Sequence, residues 1–322
     1  MKQLRLKFTD FWPGFAPSDN YFFKLLSRFC AVELDDEPDV VIYSSYRREY
    51  LKYDCTRVFY TGENVRPDFS GCDFALSCDF TDRPNHYRLP LYALYIERAK
   101  WLPKLLSRKS REEALATWRR KQKFCCMVVS NDNSPRRIEL FKKLSAYKRV
   151  DSGGRILNNI GGPVANKMQF IRDYRFVISF ENSSYPGYTT EKILEPLVAD
   201  CIPLYWGNSL IGKDFNPACF LHLDHSKSEE QFIREIIAVD SDEEKAVQLL
   251  TAPTFPNNTI PPGIDEGRVL RFFQHIVGSL ETFTPVARTS KRYIHAFKVR
   301  KRFVTGFAKG IAGRIFRRLV MV

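Results

Sequence analysis

Between Phe180 and Gly207 the chain concentrates side chains that can do chemistry. Glu181, Asn182, Ser183, Ser184, Tyr185, Tyr188, Thr189, Thr190, Glu191 and Lys192 follow with little apolar interruption. A segment that merely joined two elements would be shorter and would not carry two tyrosines and a Glu-Lys pair. Ahead of it, Phe176, Val177, Ile178 and Phe180 form an apolar, β-branched and aromatic run of strand length. Behind it, Thr189 and Thr190 supply N-cap chemistry for a helix, and a second apolar run, Ile202 to Trp206, closes against Gly207. Strand, loop, helix, strand is the unit of a parallel sheet, whose ligands lie at the carboxyl ends of strands. The free N–H groups of the helix start, with Lys192 beside them, attract an anion, and phosphate is the natural guest.

Two other stretches hold groups of the same kind. RVFYTGEN, Arg57 to Asn64, ends a strand-like run on a carboxylate, Glu63, beside Gly62. A positioned carboxylate can take the proton of a hydroxyl that is otherwise a poor nucleophile, although a glutamate in a turn is usually only a solvated charge. SNDNSPRR, Ser130 to Arg137, follows the apolar run Phe124 to Val129 and puts arginine in the first turn after Pro135. Arg136 and Arg137 both compete for the role of anion fork, and the spacing from Pro135 favours Arg137.

The patterns FxxxFEN (Phe176 to Asn182), YxTEK (Tyr188 to Lys192) and IPxYWG (Ile202 to Gly207) together resemble the signature of the α1,3/1,4-fucosyltransferases. These are the GDP-fucose-dependent enzymes of glycosyltransferase family 10, and the likeness is to the bacterial members. TGEN, SNxNxPxR and DSGG (Asp151 to Gly154, with Asn158 and Asn159 following) resemble the same family.

The resemblance implies an α/β GT-B fold of two Rossmann-like domains facing across a cleft. Residues 1–117 would bind the acceptor, 118–287 would bind GDP-fucose, and 288–322 would form a basic amphipathic tail. It implies an inverting transfer of L-fucose to a hydroxyl of an N-acetyllactosamine-type or related glycan, in lipopolysaccharide O-antigen synthesis, without a metal. Glu63 would be the catalytic base, and Arg137 and Lys192 would stabilise the departing GDP. Glu191 would contact the fucose or offset oxocarbenium charge, while Asn182 and Tyr188 would shape the donor pocket. Two other readings stay open: a GT-B enzyme using another nucleotide sugar, and a non-enzymatic protein that binds membrane or nucleic acid.

Composition fits two folded domains and excludes general disorder, with 322 residues, 44% hydrophobic and 14% aromatic. The net charge of +13 is concentrated in the tail, where Arg288 to Arg318 carries eleven Lys or Arg and no acid. Phe297, Val304, Phe307, Ile311, Ile315, Leu319 and Val322 fall near one helical face, with Lys298, Arg302, Lys309 and Arg317 opposite. That pattern suits an anionic membrane surface, reached by residues 291–322, better than nucleic acid. The eight cysteines lie mostly in apolar runs without CxxC spacing, which points to buried free thiols in a reducing compartment. The N-terminus has no apolar run long enough for a signal peptide, and a glycan on the Asn182 sequon would block the loop. The expected location is therefore cytoplasmic, peripheral on the inner face of a bacterial membrane.

The positioning elements follow from periodicity. Strands are expected over 4–8, 40–43, 57–60, 74–76 and 124–129, and helices over 21–31, 190–199, 228–237 and 242–250. The basic stretch 101–120 reads as an interdomain linker. Pro196 either kinks the 190–199 helix or marks a wrong boundary. Asp240 and Asp242 have D-x-D spacing but sit at a helix start, where a capping role outweighs a metal site.

Overall fold

The computed structural model describes residues 1–301. The first half runs β1 (Lys2–Thr9), α1 (Tyr21–Leu26), β2 (Cys30–Leu34), β3 (Val40–Tyr43), β4 (Thr56–Tyr60), β5 (Phe74–Ser77), β6 (His86–Arg88), α2 (Leu91–Ala99), α3 (Leu102–Leu106) and α4 (Arg111–Arg120). The second half runs β7 (Lys123–Met127), α5 (Pro135–Ser145), β8 (Val150–Ser152), α6 (Lys167–Ile171), β9 (Tyr174–Phe180), α7 (Glu191–Val198), β10 (Ile202–Trp206), β11 (Leu221–His222), α8 (Glu229–Asp240), α9 (Glu243–Thr251) and α10 (Glu266–Ser279).

The strands form two parallel sheets, one ordered β2-β1-β3-β4-β5-β6 and the other β11-β10-β9-β7-β8. This is the GT-B arrangement of two Rossmann-like domains. In each sheet the strand order reverses next to the domain's first strand, between β1 and β3 and between β7 and β9. The chain leaves the strands on opposite sides of such a point, opening a crevice at their carboxyl ends.

Each sheet has its own core. Leu4, Leu6, Ile42, Val58, Tyr60 and Leu76 join Phe22 and Leu25 of α1 in the first, and Cys125, Met127, Phe176, Ile178, Phe180 and Leu204 join Trp118 of α4 in the second. Strands buried on both faces read as continuous apolar runs, which is why β3, β4 and β9 are recognisable in the sequence. Helix α10 follows the second sheet in the chain yet packs Val269, Phe273, Ile276 and Val277 into the first core.

The structure differs from the sequence expectations in two helical regions. The helix expected over 21–31 stops at Leu26, and Cys30 already opens β2, pairing with Lys2. The 101–120 stretch is no loose linker: α3 and α4 occupy it, Ser110 and Glu113 close a capping box, and Ala114, Thr117 and Trp118 are buried. A capped terminus contributes about 1 kcal/mol, and burying Trp118 fixes the helix to the second core. Pro196 lies inside α7 but near its end, where the helix needs few further bonds. Glu195 and Pro196 carbonyls then accept from Ala199 and Cys201 N–H.

All eight cysteines are buried and unpaired. No helix among the described residues is long and apolar enough to cross a membrane. Residues 291–301 are helical and anchored by buried His295, whose ring nitrogens meet the Tyr50 hydroxyl at 2.6 Å and Ser70 Oγ at 3.3 Å. Tyr293, Ile294 and Phe297 of this segment are exposed. The expected membrane face from Val304 to Val322, with Arg302, lies outside the described residues.

Candidate active site

The strand-order reversal of the second sheet brings two loops together. The segment after β7 leads to Arg137 in the first turn of α5, and the segment after β9 is the 181–190 loop. Arg137 is 1% exposed, and its Nη2 donates to the Phe180 carbonyl at 2.7 Å and to Asn182 Oδ1 at 3.0 Å. Its Nε has no hydrogen-bond partner, and burial pushes the guanidinium pKa down. Arg137 therefore braces the loop from beneath. The neighbouring Arg136 is exposed, with its guanidinium 5.3 Å from the centre of the Trp206 ring at the carboxyl end of β10.

A carboxylate to which the sequence assigns no role organises the helix start. Glu181 is fully buried and accepts from the Thr190 N–H and hydroxyl, both at 2.8 Å. Lys192 Nζ lies 3.3 Å from Glu181, 3.5 Å from Glu191 and 3.1 Å from Thr190 Oγ1. Burial pushes the Glu181 pKa up against the opposing pull of Lys192. At Glu191 burial also raises the pKa, but Lys192 and Lys167 more than offset it and hold the carboxyl below its usual range. Burial lowers the Lys192 pKa, yet Glu181 and Glu191 outweigh it and keep the ammonium charged. Thr190 caps α7 and accepts from the Lys192 N–H. Tyr188 is buried, and its backbone N–H closes a turn on the Tyr185 carbonyl.

Gly207 makes this packing possible. It has φ of +153°, and a Cβ there would stand 2.5 Å from Glu181 Cγ. The glycine that ends β10 is therefore required by a carboxylate on the neighbouring strand. Asn158 and Asn159 close the loop after β8 onto the backbone of Val150, Ser152 and Gly154.

The reversal of the first sheet opens a cavity of about 900 Å³, lined by Trp12, Phe15, Tyr46, Glu63, Leu91, Leu94, Tyr95 and Arg98 among others. Glu63 is exposed on its wall, where its carboxylate accepts from the Tyr46 hydroxyl at 2.9 Å and its N–H donates to Thr61 Oγ1. Burial and the Glu63 contact raise the Tyr46 pKa to about 12, so the phenol stays a donor at neutral pH. Trp12 and Tyr46 present aromatic surface beside the carboxylate. Charges on the wall are largely paired, Lys24 with Asp19 and Arg28 with Glu266, so the cavity carries little net charge. None of Arg137, Asn182, Tyr188, Glu191 or Lys192 lines it.

Asp240 and Asp242 belong to neither region. The Asp240 carboxylate is buried among Lys148, Arg175 and Tyr147, and Asp242 caps α9. Among the described residues, no group of three or more His, Cys, Asp or Glu side chains could hold a metal ion.

Residues 6–95 match the alpha-(1,3)-fucosyltransferase FucT N-terminal domain, and residues 118–250 match the glycosyltransferase family 10 (fucosyltransferase) C-terminal region. The chain belongs to glycosyltransferase family 10. The two matches lie on either side of the boundary between the sheets, leaving residues 96–117 between them, and the second includes both loops described above. Among relatives of this family, the alpha-(1,3)-fucosyltransferase FucT of Helicobacter pylori is 32% identical over 213 residues, covering 58% of this chain and 45% of its own length. A 3-galactosyl-N-acetylglucosaminide 4-alpha-L-fucosyltransferase of Bos taurus is 31% identical over 134 residues, covering 40% of this chain and 36% of its own. The chain thus spans less than half the length of these curated relatives. A crystal structure of an alpha1,3-fucosyltransferase with GDP-fucose superposes with a TM-score of 0.74 at 25% identity, covering 88% of this chain and 93% of the other. Family membership and fold rest on independent likenesses in sequence and shape.

Proposed function

We propose that this chain is an inverting α1,3-fucosyltransferase that moves L-fucose from GDP-β-L-fucose to a hydroxyl of an N-acetyllactosamine-type or related glycan. The observation that carries the reading is Glu63. It is an exposed carboxylate on the wall of a sugar-sized, nearly neutral, aromatic cavity, in the domain that faces the family's 181–192 loop.

In this reading Glu63 takes the proton of the acceptor hydroxyl while that oxygen attacks the anomeric carbon of fucose. The bond from that carbon to the β-phosphate oxygen breaks on the opposite face, and GDP leaves with the electron pair. The tyrosine hydroxyl of Tyr46 holds the carboxylate toward the cavity. Lys192 and the first N–H groups of α7 offer positive potential to the growing charge on GDP, and a preorganised donor set of this kind lowers the barrier without reorganising. Glu191, held ionised by two lysines, faces positive charge developing on the sugar. Arg137 acts from beneath the loop by fixing Asn182, and Tyr188 completes the pocket. The first domain, 1–117 with α10 returned to its core, supplies the acceptor site, and the second sheet with its helices from 118 onward supplies the donor site. The tail from 288 to 322 places the enzyme peripherally on an anionic inner membrane surface, where a lipopolysaccharide O-antigen would be its acceptor.

The test is GDP release from GDP-fucose with lactose, type 1 and type 2 acceptors in EDTA, comparing wild type with Glu63→Ala. Acceptor-dependent release lost in the folded variant supports the reading. GDP binding without acceptor-stimulated release by any of these sugars refutes the acceptor class, and release that requires a divalent cation refutes the metal-free mechanism.

A further inference from the structure

The loop that bears Glu63 and the 181–190 loop belong to different sheets, yet they touch one residue beyond the carboxylate. Asn64 Nδ2 donates to Ser183 Oγ at 2.7 Å. The orientation of that amide is set by Arg66, whose Nη2 donates to Asn64 Oδ1 at 2.8 Å. An amide whose oxygen accepts from a guanidinium must turn its NH2 the other way, here onto Ser183. Arg66 also lies over the Tyr185 ring, 3.8 Å from its centre, and is ion-paired with Asp79 at the end of the first sheet. Asp79 in turn accepts from the buried Ser77 hydroxyl at 2.6 Å.

The contact has a third point. Gly187 has φ of +95°, and a Cβ there would fall 2.3 Å from the Cys78 carbonyl oxygen of the first domain. Its own carbonyl accepts from Arg88 Nη2 at 3.2 Å, and the same guanidinium spans both carboxylate oxygens of Asp214. Ser183, Tyr185 and Gly187 therefore meet the first domain, while Asn182 and Ser184 bond to Arg137 and the Gly207 carbonyl of the second. The Gly187 N–H also donates to Asn208 Oδ1 of the second domain at 2.6 Å, so the loop is held from both sides.

We propose that Asn64 and Arg66 are positioning residues that register the Glu63 loop against the donor loop, so that the base is aligned with the bond being made. The inference rests on the reading of Glu63 as the base. A displacement of about 1 Å between reacting groups can cost on the order of 100-fold in rate. A restraint one residue from Glu63 leaves at most one Cα step, about 3.8 Å, of chain between the grip and the base. The contact between loops thereby sets the reaction distance more tightly than the distant packing of the two domains does.

The test compares Asn64→Ala, Ser183→Ala and the double variant, with Asn64→Gln and Arg66→Ala alongside. The expected result is a fall in kcat of about 10- to 100-fold for Asn64→Ala, with GDP affinity, acceptor KM and melting temperature near wild type. Because both single variants break the same contact, the double variant should be no slower than the slower single one. Hydrogen exchange at residues 181–188 should rise in Asn64→Ala whether or not an acceptor has been found. An unchanged kcat, additive single effects, or a parallel loss of GDP affinity would overturn the proposal, as would unchanged exchange in that loop. Wild-type protein that binds GDP but transfers to no acceptor would instead count against the reading of the base, leaving the exchange measurement to decide the contact between loops.

Discussion

His86 gives the stability of this fold a defined pH dependence. The ring is 8% exposed at the start of β6, and its Nε2 lies 2.8 Å from Ser77 Oγ. The Ser77 hydroxyl hydrogen goes to Asp79, so the imidazole must present an N–H from Nε2. Burial is the largest influence on its pKa, Asp79 opposes it, and Arg88, Arg66 and Arg83 add to it, taking the value from 6.5 down to about 4. A histidine depressed in the folded state contributes stability above its unfolded pKa and loses it as pH falls. The loss here begins near 6.5 and levels off below about 4. The full span is worth about 3 kcal/mol, of which about 2 kcal/mol is lost between pH ~7.5 and ~5. The variant His86→Gln keeps a donor for Ser77 and removes the titration. Urea unfolding at the two pH values should give wild type about 2 kcal/mol more acid destabilisation than the variant. Equal losses in the two proteins would refute the assignment, because every other titrating group is common to both.

Other expectations follow from the same geometry. Glu63→Gln keeps a partner for Tyr46 but cannot take a proton, and transfer should fall by about 100- to 10,000-fold with GDP affinity unchanged in a calorimetric titration. Gly207→Ala places a methyl against Glu181 and should cost about 2–3 kcal/mol in denaturant unfolding, with GDP binding weakened as the loop is displaced. Glu181→Gln leaves Lys192 facing an amide donor at a buried site, a loss of about 3 kcal/mol, and a variant as stable as wild type would show that this pair is not what holds the helix start. Removing residues 302–322 should reduce sedimentation with anionic vesicles and spare turnover on soluble acceptors, and unchanged vesicle binding would rule out the tail as the membrane contact.

Much of the architecture is written locally. Continuous apolar runs make β3, β4 and β9 visible because both faces of a parallel sheet are covered. Motif spacing placed Asn182, Tyr188, Glu191 and Lys192 on one loop and helix start, since neighbours in sequence stay neighbours at a strand end. The stretch 101–120 misleads because its helices are stabilised by a capping box and by Trp118 inserted into the second core, and its charged residues hide the short apolar face.

Sequence alone determined that the chain is a two-sheet α/β protein of the fucosyltransferase family, and it singled out the 181–192 loop and Glu63 as the candidate site. Tertiary structure decided the rest, for one physical reason: these contacts join residues far apart in the chain, and no local pattern encodes them. It turned Arg137 inward onto Asn182 and left Arg136 outside against Trp206. It also made Glu181 the buried anchor of the helix and Gly207 the space that anchor needs. Finally, it set Tyr46 beside Glu63, brought α10 back to the first core, and joined Asn64 to Ser183 across 119 residues.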